Sequence, residues 1–286
     1  MTEFAHYTVA ADWDRPLPQP LRSEYFSNIC FFSGRRPSDV GWDYRELPRL
    51  PEIDQYRLSR LPKAMPHKFL TEFSGSIYCD ATVQVREEAA ERWAESSDQG
   101  AICLIQLTSR KNLLSEFELV ARKRYDTVYA LEEQLDAYRR AVGISLKSSM
   151  FWGGLIVRRH FDQQVIDFGE RWWWNILRYS RRDQLSLPIS LQAVDSSKRD
   201  IIKGSENGSP WHTRLMGVEK SRKYRVGFRS RNKLVGAKSE EEKLVAEIMS
   251  LRRFAEQLLK FSFLVRIFNA LESRRRGRAE TTTSHF

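Results

Sequence analysis

Four short, unbroken apolar runs, separated by helical stretches, constrain this chain more than any other feature. Residues 28–32, 76–80, 101–107 and 153–159 are each short and lack polar alternation, as strands buried on both faces do. The pattern predicts helices at 54–65, 87–96, 113–123 and 127–142, the last capped by Thr127 and stopped by Gly143. Further strands are expected at 4–10 and 42–47, with a proline-rich loop at 12–20. Strands alternating with helices give an α/β fold with an open sheet flanked by helices. With 286 residues, of which 41% are hydrophobic, the chain can bury one good-sized core plus an appendage.

The densest stretch is 165–188. Val165, Phe168, Trp172 and Ile176 repeat at helical spacing, and Trp173, Leu177 and Tyr179 widen the stripe, so the three consecutive tryptophans Trp172, Trp173 and Trp174 read as core. Arg182-Asp183-Gln184 follows that helix. Pro188 lies too near for an undisturbed second helix, so the Asp-Gln pair is expected on an irregular, rigid turn. Asp183 can serve there as a cap or face a ligand.

In open α/β sheets ligands gather beyond the carboxyl ends of the strands. Asp80 closes such a strand, and a carboxylate there suits Mg²⁺ or Mn²⁺. The plainer role is a strand-end acid holding a turn. Arg57, Arg60 and Lys63 recur at spacing three on one face of the 54–65 helix, which by itself reads as a solvated face. His212 reads as a loop histidine bonded to backbone, and His67 and His160 read as structural.

Several segments in this order resemble one family. They are Tyr7 to Asp14, Asn28 to Phe32, the Lys63-x-x-Pro-His-Lys68 segment, Ser76 to Asp80, Ile156 to His160, the tryptophan run, and Arg182-Asp-Gln-Leu-Ser-Leu187. Over residues 4–214 the chain is similar to bacterial members of the TOD/MUCI-type glycosyltransferase-like domain family, relatives of the GT-A nucleotide-sugar transferases. The resemblance implies a Rossmann-like GT-A domain with a mixed, mostly parallel sheet, moving a sugar from a nucleotide-diphosphate donor to a surface-glycan, lipid-linked or other glycoconjugate acceptor. It implies a divalent metal, Mn²⁺ or Mg²⁺, on Asp80 and His212. Donor contacts would come from Asp14 near the base, from Asp80, and from Arg57, Arg60, Lys63 and Arg182 near the diphosphate. Asp183 and Gln184 would contact sugar hydroxyls as the catalytic pair. Thr82 stands where a second metal-binding acid would be expected, and Thr108-Ser109 precede Arg110 where the family often has His-Pro, with Glu116 following.

The net charge of +10 invites a nucleic-acid reading, but residues 1–218 hold 30 Lys+Arg and 29 Asp+Glu, against 17 and 8 in residues 219–286. The excess belongs to the C-terminal quarter, so no nucleic-acid partner is expected for the main domain. The chain divides into a glycosyltransferase-like domain at 1–218, a basic linker at 219–238, and an amphipathic helix with a basic, disordered end at 239–286. That helix, opened by Ser239-Glu-Glu-Glu242, would dock on its own domain, form a homodimer through 239–271, or lie on an anionic membrane surface. Cys30, Cys79 and Cys103 are expected to be reduced, in a cytoplasmic protein peripheral at most to the inner membrane face. The rival classes are a catalytically inactive binding protein of the same fold, or a nucleic-acid or membrane-surface binder acting through the tail. No serine-histidine or zinc constellation supports a lipid hydrolase.

Overall fold

A computed structural model describes residues 3–215 apart from residues 49, 97–99, 111, 124 and 142. The linker and helical tail expected beyond 218, with the membrane or dimer contact assigned to them, lie outside the described residues.

The six strands expected from the sequence, together with one at 199–204 that the sequence reading did not expect, form one seven-stranded sheet. Its members are β1 (Phe4–Ala11), β2 (Phe26–Ser33), β3 (Asp43–Glu46), β4 (Gly75–Cys79), β6 (Ile102–Leu107), β7 (Phe151–Arg159) and β8 (Arg199–Gly204), in the order β3-β2-β1-β4-β7-β6-β8. β7 runs antiparallel to both its neighbours, and every other pairing is parallel. The expected mixed, mostly parallel sheet is therefore present. A small antiparallel sheet joins β5 (Val83–Val85), β9 (Gly208–Ser209) and β10 (His212–Arg214) in the order β5-β10-β9.

Two apolar layers cover the two faces. One contains Ala89, Ala90 and Trp93 of α3 (Glu87–Glu95), Leu113, Phe117 and Val120 of α4 (Leu113–Lys123), and Leu131 and Tyr138 of α5 (Val128–Arg140). The other contains Leu58 of α1 (Gln55–Leu58), Leu61 and Ala64 of α2 (Leu61–Ala64), and Val165, Phe168, Trp172, Trp173 and Ile176 of α6 (Gln163–Arg178). All eight residues of α7 (Asp183–Ser190) are buried; Leu185 and Ile189 join the first layer and Leu187 the second.

Side-chain caps start two of the long helices, the first of them as expected from the sequence. Thr127 accepts from the Ala130 amide at 3.3 Å, and Asp162 accepts from Gln164 at 2.9 Å to open α6. At Gly169 a Cβ would lie 2.4 Å from the Ala64 carbonyl oxygen, so glycine lets α6 close onto α2. Cys30, Cys79 and Cys103 are free and buried. Among the described residues no helix is long and apolar enough to cross a membrane.

Three expectations change. The helix expected over 54–65 is broken into α1 and α2, because Pro62 has no N–H for a continuous ladder but fits the first turn of a new helix. The turn expected at Asp183 is the helix α7, which retains Pro188 despite the lost backbone bond because its complete burial outweighs that loss. Trp172 and Trp173 are core, whereas Trp174 is 68% exposed, since three consecutive positions span more of a helix than one face can bury.

Candidate functional site

Asp80 leaves the carboxyl end of β4 in the middle of the sheet, beside the start of antiparallel β7. Its amide donates to the Gly154 carbonyl at 2.9 Å, and its own carbonyl accepts from Val83 at 2.8 Å. The carboxylate accepts from the Tyr78 hydroxyl at 2.7 Å. Tyr78 lies two residues back on the same strand and so on the same face. Burial, with the Asp80 charge beside it, raises the Tyr78 pKa well above its ordinary value, which keeps the phenol a donor.

The central contact joins three distant segments. The Lys63 ammonium, at the end of α2, lies 2.5 Å from Asp183 Oδ2 and 3.6 Å from Asp80 Oδ1. It also sits 5.0 Å from the centroid of Tyr78 and 5.7 Å from that of Trp172. Gly153 of β7 makes room: a Cβ there would stand 3.2 Å from Lys63 Nζ and 3.5 Å from Asp183 Oδ2. Trp172 fixes Asp183 from behind, its indole N–H donating to the Asp183 carbonyl at 2.8 Å.

Burial alone would push the Asp183 carboxyl up. The charges of Lys63, Arg60 and Arg182, with the hydrogen bond from Lys63, outweigh it and hold the group below the ordinary carboxylate range. Asp183 is thus an anion in a nearly dry place. Beside it Gln184 is buried, and its side-chain Nε2 has no partner among the described residues. A buried amide donor left unsatisfied costs about 1–3 kcal/mol, and a polar ligand would relieve that cost.

The three cations of the 54–65 stretch part company. Lys63 enters the site, and Arg60 contributes charge to Asp183 while its Nη1 bonds Ser59 Oγ. Arg57 turns away: it donates to the carbonyls of Ile176 at 2.8 Å and Tyr179 at 2.7 Å and pairs with Asp54 at 2.5 Å, capping the end of α6. Arg182 lies 4.8 Å from the Tyr125 ring centroid. Asp14 lies just past β1, on the same edge as Asp80, with Arg15 4.0 Å from it.

His212 is in a strand, where a loop was expected. It pairs with Val85 of β5, the strand that leaves Asp80, and its ring lies 4.6 Å from that of Trp152. Nδ1 is 2.7 Å from Ser209 Oγ, and Nε2 is buried with no partner among the described residues. Burial lowers its pKa to about 4, so it is neutral. Among the described residues no three His, Cys, Asp or Glu side chains cluster as a metal centre. Thr82 supplies no second acid beside Asp80.

Sequence reasoning missed Tyr78, Trp172 and Gly153 as parts of the site. Period two from Asp80 would have found Tyr78; the contacts of the other two depend on the tertiary path.

No protein-family model matches the chain, and no curated protein matches it. Among solved structures, the galactosyltransferase LgtC in complex with donor and acceptor sugar analogs is similar at 10% identity and a TM-score of 0.40, covering 84% of this chain and 99% of that one. The mannosyltransferase Ktr4p from S. cerevisiae is similar at 9% identity and a TM-score of 0.40, covering 71% of this chain and 68% of that one. What a fold does is decided by its side chains.

Proposed function

We propose that this chain is a glycosyltransferase of the GT-A type that takes a sugar from a nucleotide-diphosphate donor and passes it to a glycan or lipid-linked acceptor. The observation that carries this reading is the buried Lys63–Asp183 pair at the carboxyl edge next to Asp80, with Gln184 beside it, whose Nε2 has no partner among the described residues. An ionised carboxylate accepts hydrogen bonds from sugar hydroxyls, and an amide both donates and accepts, which suits a polyol. Lys63, Arg60 and Arg182 supply positive charge for a departing diphosphate. The motif resemblance to the TOD/MUCI-type family supports the same reading.

A divalent ion fits in a limited way. Asp80 would be one oxygen ligand, and His212, whose Nδ1 is hydrogen-bonded with Ser209 Oγ, would present Nε2 as a nitrogen ligand; Mg²⁺ and Mn²⁺ take few protein ligands when substrate phosphates complete their shells. When bound, the ion would neutralise charge on the diphosphate. The protein's own part is to seat the sugar on Asp183 and Gln184, keep Lys63 between the two carboxylates, and exclude water behind Trp172.

A thermal-shift series with UDP-, GDP-, CMP- and dTDP-sugars, each with Mn²⁺ and with EDTA, tests the proposal. One nucleotide class should raise the melting temperature, more in Mn²⁺ than in EDTA. No shift with any of them favours an inactive binding protein of the same fold.

A further inference from the structure

The helix that delivers Lys63 has only four residues and cannot satisfy its own last carbonyls. Two side chains from the sheet do so. The Tyr7 hydroxyl of β1 donates to the Pro62 carbonyl at 3.1 Å, and Arg158 of β7 donates through Nη2 to the Lys63 carbonyl at 2.5 Å and to Tyr7 Oη at 2.9 Å. Arg158 is 1% exposed, and among the described residues its Nε and Nη1 have no partner and it makes no ion pair. A buried guanidinium without an acid is expensive, so an explanation for its retention must lie in what Nη2 holds. It holds the backbone of the one residue whose ammonium reaches both Asp183 and Asp80. A cation at a helix C-terminus also complements the negative end of the dipole.

We propose that Arg158 and Tyr7 are positioning residues that fix α2 by its terminal carbonyls and so set the reach of the Lys63 ammonium between Asp183 and Asp80. For its bearing on catalysis the proposal rests on the glycosyltransferase reading; for its structural content it does not. Arg158 and Tyr7 touch neither carboxylate, and the short helix is their lever. Tyr7→Phe removes one hydroxyl and leaves the ring contact with Tyr78, at 5.2 Å between centroids, in place.

The test is the coupling between Lys63 and Asp183 in the whole chain, measured by urea denaturation of Lys63→Met, Asp183→Asn and the double variant. The cycle is repeated in a Tyr7→Phe and in an Arg158→Lys background. The coupling should fall to about half or less in the Tyr7→Phe background, which is mild enough to fold if the Arg158 variant is not. Unchanged coupling overturns the proposal, because a residue that merely supports the core alters stability without altering that pair. Where turnover is found, Tyr7→Phe should lower kcat more than it raises KM, and the loss should vanish once Lys63 is Met. Reduced coupling in a protein that turns over no nucleotide sugar supports the positioning role and counts against the glycosyltransferase reading alone.

Discussion

Replacing Lys63 with Met keeps most of the side-chain volume and removes the charge. At the 2.5 Å separation from Asp183 the gross attraction is about 7 kcal/mol for an effective dielectric of about 20. Desolvation of both groups offsets much of it, and removing one member of a buried pair costs about 3–5 kcal/mol because the other is left charged in a dry place. Urea denaturation at pH 7 should show a loss of that size. The loss should shrink in acid: Asp183 is held below the ordinary range in the native chain, so its stabilisation is present above the unfolded pKa and is lost as pH falls through the folded one. Without Lys63 the folded pKa moves up, so protonation relieves the penalty as pH drops. Lys63→Met combined with Asp183→Asn should recover much of the stability, since a neutral pair carries no stranded charge. A loss under about 1 kcal/mol, or additive single losses, would refute the claim of a tightly coupled buried pair.

Three further outcomes follow from the same geometry. Gln184→Met should change stability by no more than about 1 kcal/mol, because its Nε2 has no partner to lose among the described residues, yet should weaken binding of the donor sugar; denaturation and calorimetry check the two halves. Arg57→Met should cost about 1–3 kcal/mol by uncapping α6 and leave donor affinity unchanged, in contrast to Lys63, as titration calorimetry on both variants would show. Stability should rise with pH between about 4 and 6.5, because burial lowers the pKa of His6 and His212 to about 4 and of His160 to about 3, so the unfolded chain binds the extra protons there; the slope should approach about 4 kcal/mol per pH unit near pH 5, fall as pH passes through the unfolded value of 6.5, and be absent above about pH 8.

The middle of the scaffold was legible because β2, β4, β6 and β7 come from unbroken apolar runs and α5 and α6 each carry a side-chain cap, whereas β8, with Arg199, Asp200 and Lys203 around two isoleucines, offers no such run. Asp80 could be singled out because it closes such a run. Local rules failed where tertiary packing outweighed them: Pro188 argued against a helix at Asp183, yet burial from both apolar layers keeps one. Pro62 was the overlooked signal that one basic stripe would become two short helices, sending Arg57 to α6 and Lys63 to the sheet edge. The Lys63–Asp183 contact spans 120 positions of sequence, and no periodicity reports a contact of that kind. His212 looked like a loop residue because the strand that holds it has only three residues.

The central claim is that Asp183 and Gln184 hold the sugar of a nucleotide-sugar donor. Calorimetric titration of the wild type and of Gln184→Met with a nucleotide sugar and with its bare nucleoside diphosphate tests it most directly. The wild type should bind the sugar-bearing ligand more tightly than the diphosphate, and the substitution should erase that difference while leaving diphosphate affinity in place. Equal affinity for the two ligands in the wild type, or binding of neither, would contradict the account.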